Sequence, residues 1–166
     1  MTVLWMLEDL EWWPNAPEPR DVFSPTTYWA SPEEMDLPPE VVTETPVTVE
    51  EVHMDGYTER IAHLGNGFTT LLGKGGGPTG VTMLTGCLVW DHYLWTEYRT
   101  TPTGNVRLVE RRGGIVQRVT RDETTHPGVF SIHPSGPTKY QIGEADDGYE
   151  FCWHASMVEL VHAETE

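Results

Sequence analysis

Eight of the thirteen prolines fall between Pro14 and Pro46, and no other feature limits the fold so strongly. Proline fixes φ and lacks an amide hydrogen, so residues 14–47 are expected neither to run as a long helix nor to pair as an interior strand. The same region is acidic: residues 1–60 carry fourteen Asp and Glu against Arg20 and Arg60 alone. Such a segment can extend in polyproline II geometry, at about 3.1 Å per residue. The sequence thus divides into an extended, acidic, Pro-rich N-terminal arm (residues 1–47) and a domain (residues 48–166).

The arm is more than a solvated linker. Trp5, Trp12, Trp13, Phe23, Tyr28, Trp29, Met35 and Leu37 punctuate it. Large apolar side chains spaced along an extended chain suit docking, either on a neighbouring subunit or on the arm's own domain. Residues 3–13 read in two ways. Leu4, Leu7, Leu10 and Trp13 would share a helical face, whereas residues 3–7 alone could be a short buried strand. Ser31-Pro32-Glu33-Glu34 puts Ser at a helix N-cap, Pro at the first position and Glu at the third; Pro38-Pro39 must then end that helix early.

From Phe68 onward the pattern is β. Expected strands cover residues 68–72, 81–90, 93–99, 105–112, 115–121, 129–133, 139–142, 149–154 and 157–161. Short strands about ten residues apart, broken by Gly and Pro, indicate one small antiparallel sandwich or barrel. Arg112-Gly113-Gly114-Ile115 reads as a two-residue hairpin turn, and a further turn is expected near Ser156.

Sites of chemistry are sparse. The glycines from Gly73 to Gly80 are not a phosphate loop, because Gly75 follows Lys74 where Ser or Thr must hold magnesium. Nor do they open a dinucleotide fold, since Val81-Thr82-Met83-Leu84 reads as a strand and not a helix start. A mobile loop is expected there. The seven histidines form no H-x-H or H-E-x-x-H pattern, so neither a metal nor a cofactor is implied. Cys87 and Cys152 read as two buried thiols. The best pocket candidate is Asp91-His92, set among Trp90, Tyr93 and Trp95; an Asp-His pair can move protons, but no nucleophile motif accompanies it.

Charge narrows the partners. A net charge of −16 disfavours nucleic acid and anionic membranes, and no apolar run is long enough to span a bilayer. Arg107, Arg111, Arg112 and Arg118, with Arg99 and Arg121, form a basic patch able to receive the acidic arm. These readings converge on a non-enzymatic structural or interaction subunit, a homo-oligomer or a member of a larger assembly. It would be made in the cytoplasm and incorporated into a complex such as a bacteriophage virion, as a decoration, connector or tail component. The arm aromatics and Arg107, Arg111, Arg112 and Arg118 would be its contacts. The alternative is an acidic inhibitor or DNA mimic that captures a basic protein.

Overall fold

Burial decides the element that the sequence left open. Leu4, Met6, Leu7 and Glu8 are all buried, so Val3–Glu8 is a strand (β1) covered on both faces. The computed structural model describes residues 3–10 and 16–162. Nine further strands follow: β2 (Val22–Phe23), β3 (Thr27–Ala30), β4 (Thr43–Met54), β5 (Tyr57–Gly65), β6 (Phe68–Lys74), β7 (Gly80–Trp90), β8 (Asn105–Glu123), β9 (Phe130–Gln141) and β10 (Tyr149–Val161). One short helix, α1 (Pro32–Met35), and the 3-10 turns Pro39–Val41 and Leu94–Thr96 lie between them. The helix begins where the sequence indicates, with the Ser31 hydroxyl accepting the Glu34 amide at 3.3 Å.

The fold is mostly β, a single ten-stranded sheet in the order β2-β8-β10-β1-β7-β3-β6-β5-β4, with β9 added alongside β8. β4 also pairs with β7, from Thr43 opposite Gly86 to Val49 opposite Gly80. The pairings β7-β3-β6-β5-β4-β7 therefore close into a ring. Trp29, Phe68 and Leu88 belong to one core, which shares Leu64, Leu72 and Leu84 with the cluster of Val47, Val49 and Ala62. A second core joins Leu7, Ala30, Val41, Cys87, Val89, Ile115 and Ala155. Among the described residues, no helix is long and apolar enough to cross a membrane.

Several sequence expectations change. Residues 14–47 do supply strands: β2, β3 and the start of β4 all lie there, and residue 47 falls inside β4. Pro46 is tolerated because it faces only β7, opposite Met83; pairing with β5 begins at Thr48, so its missing donor meets no strand. The β4–β5 and β5–β6 hairpins were not foreseen, although Asp55-Gly56 and Asn66-Gly67 are strong turn dipeptides.

Gly113-Gly114 is not a turn, for β8 runs straight through it. A Cβ on Gly114 would lie 2.3 Å from the Trp153 carbonyl oxygen, and one on Gly113 2.5 Å from that of Gln141. The glycines let β9 and β10 approach a bulged stretch of the ladder. Residues 93–99 form no strand but a 3-10 turn, whose Leu94 packs on Ile61 and Leu71. Ser156 is buried within β10 and marks no turn.

Candidate functional site

Asp91 and His92 follow the end of β7, and the neighbouring chain fixes their backbone. The Asp91 amide donates to the Thr26 carbonyl at 3.0 Å, and the Thr26 hydroxyl donates to the Asp91 carbonyl at 2.8 Å. Oδ1 of Asp91 then accepts the Tyr93 amide at 2.8 Å, which starts the turn that Leu94 anchors. This is local Asx-type capping, and it fixes the direction of the carboxylate.

A cavity of about 120 Å³ opens here. Val89, Trp90, Asp91, His92 and Tyr93 line it from the end of β7, together with Tyr28 from β3, Trp153 from β10 and Asp9 after β1. The Trp90 ring stacks on Phe23, at 5.0 Å between centroids, and on His92 at 4.3 Å. Burial, followed by the charge of Asp91, pushes the Tyr28 hydroxyl up to about 12.

Behind His92 lies Glu8, only 5% exposed. Its carboxylate is 3.9 Å from His92 Nε2 and 3.9 Å from Arg111 Nη1. Burial raises the Glu8 carboxyl above its ordinary value, an effect that Arg111 opposes. The rest of the Arg111 guanidinium donates to the Pro17 carbonyl, through Nη2 at 2.7 Å and Nε at 3.1 Å. Burial and Arg111 together hold His154 below its usual value. Among the described residues, no group of three His, Cys, Asp or Glu is placed to hold a metal.

The residues singled out as contacts have diverse positions. Trp12 and Trp13 lie outside the described residues. Trp29 is 6% exposed in the first core, and its indole Nε1 donates to the Thr85 carbonyl at 3.1 Å. Trp5, Tyr28, Met35 and Leu37 pack half-buried against the second core, with Trp5 edge-on to Tyr140 at 5.6 Å. Phe23 packs half-buried on the first core. The described anchors thus engage this chain's own sheet.

The arginines are exposed but not clustered on one target. Arg107 pairs with the buried Glu159 at 2.8 Å, Arg111 meets Glu8 and Pro17, and Arg118 lies over the Tyr149 ring. Arg112 contributes its carbonyl, which accepts the Tyr140 hydroxyl at 2.6 Å. Among the described residues, Arg111 is the one of the four whose side chain meets the acidic N-terminal segment.

A second exposed feature was not foreseen. Beyond Val119, whose amide donates to the Gly148 carbonyl at 3.0 Å, β10 no longer accompanies β8, and β8 with β9 continues as a two-stranded ribbon. Its register pairs Glu123 with Phe130, Arg121 with Ile132 and Val119 with Pro134, so these six side chains share one face. Thr120, Asp122, Ser131 and His133 form the polar opposite face. Phe130 and Ile132 are 51% and 49% exposed. The signal lies in Val129 and in the apolar alternation from Phe130 to Ile132, within the strand expected over residues 129–133.

Comparison with protein-family models, curated proteins and solved structures returned no match for this chain. Its function must be read from its own geometry.

Proposed function

We propose that the chain is a non-enzymatic structural subunit that self-associates through the β8–β9 ribbon, as a building block of a larger assembly such as a bacteriophage virion. One observation carries the reading: the ribbon is amphipathic, and Phe130 and Ile132 stand about half exposed on its more apolar face. A two-stranded ribbon is marginal in water unless a third element buries one side. Pro134 and Pro137 interrupt the outer edge of β9, which protects it against strand addition. Contact through the apolar face of Val119, Phe130 and Ile132 is therefore favoured over edge-to-edge pairing. A two-fold arrangement would bury the same residues on both copies.

Size-exclusion chromatography with light scattering tests this. The wild-type chain should be a concentration-dependent oligomer, and the double change Phe130→Ser, Ile132→Ser should shift it to monomer with its circular dichroism unchanged. A wild-type protein that stays monomeric at about 100 μM would end the proposal.

A second reading has its own support. Glu40, Glu44 and Glu50 are exposed along and just before β4 and add to the net charge of −16. That surface suits capture of a basic protein, as an inhibitor or DNA mimic would require. It predicts a monomer whose binding to a basic partner collapses in high salt.

A further inference from the structure

We propose that the cavity between Asp9 and Asp91, walled by Tyr28, Trp90, Tyr93 and Trp153, binds a small alkylammonium group, such as a quaternary amine or the head of a methylated lysine. The site is separate from the ribbon and does not depend on it. Four aromatic residues, the His92 imidazole and two carboxylates line a hollow of about 120 Å³, with the Trp90 ring already stacked on Phe23 and His92. Ring faces carry negative potential and attract a cation seated against them, most strongly where water is excluded. A hollow this small suits a single head group, since drug-sized ligands occupy roughly 300–1,000 Å³.

The local charge selects the sign of the ligand. The Arg111 guanidinium, which meets Glu8 behind His92, is committed to Glu8 and to the Pro17 carbonyl. Asp91 gives Oδ1 to the Tyr93 amide. Asp9 is exposed at the rim. An anion would face both carboxylates. A neutral apolar ligand would strip water from them without compensation. A cation with a methylated surface satisfies rings and carboxylates together.

The test uses the full chain, ¹⁵N-labelled, with choline as probe and 3,3-dimethyl-1-butanol as its neutral isostere, at constant ionic strength. Choline should shift tryptophan indole signals saturably, and the isostere should not. Asp9→Asn with Asp91→Asn should weaken choline binding about tenfold; Asn keeps the acceptor that the Tyr93 amide needs. Tyr93→Ala, at a position 53% exposed, should weaken it severalfold and serves if the double variant misfolds. A peptide bearing trimethyl-lysine distinguishes the source. Tighter binding than choline points to a protein ligand, and equal binding to a free small amine; either supports the site. Equal shifts from the neutral isostere, no saturable shift from choline, or unchanged affinity in the folded variants would overturn it.

Discussion

Oε1 of Glu59, a side chain with no solvent exposure, accepts the backbone amide of Thr100 at 2.7 Å, across 41 residues of sequence. Its other oxygen, Oε2, accepts the Arg99 amide at 2.9 Å and the Tyr57 hydroxyl at 2.6 Å. One carboxylate in β5 thereby ties down the loop that leads from the Leu94 turn into β8. Burial alone would raise its titration point, but the bonds from Tyr57, Thr100 and Arg99 outweigh burial and hold it below the ordinary 4.5.

Glu59→Ala should therefore cost about 3 kcal/mol or more in urea denaturation at pH 7, because it strands two amides and a hydroxyl. Tyr57→Phe should cost about 1 kcal/mol. The pH dependence has a definite sign. Because the folded value is depressed, the stabilisation is complete above the unfolded carboxyl value and is lost as pH falls through the folded one. Wild type should lose this increment below pH 4.5, and Glu59→Gln should show a flatter profile there. Equal slopes for the two proteins would refute the assignment.

Gly86 has φ of +140°, and a Cβ placed on it would stand 1.9 Å from the Ala30 carbonyl oxygen. β3 lies across β7 at that point and leaves no room for a side chain. Gly86→Ala should destabilise by about 3 kcal/mol or more, since backbone must move. Thermal denaturation reads this directly; a melting temperature equal to wild type would contradict the close approach.

β1 sits between β10, pairing over Val3–Glu8, and β7, pairing over Met6–Glu8. Removing residues 1–47 would take out this strand together with β3, which completes the ring. The truncated chain should show no cooperative unfolding transition. Leu4→Ala, which empties a wholly buried position, should cost about 2–5 kcal/mol. A truncated protein that melts cooperatively would show that the β1 and β3 pairings are dispensable.

Both cysteines are free thiols. Burial pushes the Cys87 thiol up to about 12 and also raises Cys152, which is only half-buried. A disulfide-exchange reagent at pH 8 should label Cys152 slowly and Cys87 only after unfolding, because the thiolate is the reactive form. Mass spectrometry after timed labelling gives the order. Rapid labelling of Cys87 in the native protein would place it outside the core.

Much of the candidate site was legible in one stretch of chain. Trp90, Asp91, His92 and Tyr93 are consecutive, so their association in a cavity follows from covalent neighbourhood. Glu8 and Asp9 come from the end of β1 and the residue after it, Tyr28 from β3 and Trp153 from β10, and no local pattern announces them. Glu59 was missed for the same reason: its backbone partners Arg99 and Thr100 lie about forty residues away, and nothing distinguishes it from the exposed acids around it.

By itself the sequence determined the β character, the short helix capped by Ser31 and the concentration of aromatics around Asp91. These depend on side-chain period, on capping chemistry and on adjacency, all of which act within a few residues. Tertiary structure alone decided that β4 returns to β7, that β1 enters the middle of the sheet, and that Trp29 lies in a core. It also decided that Gly113-Gly114 accommodates neighbouring strands within β8. An apolar side chain in an extended segment fits its own core or a neighbour's equally well. Which of these it joins is set by backbone pairing and core volume contributed from the whole chain.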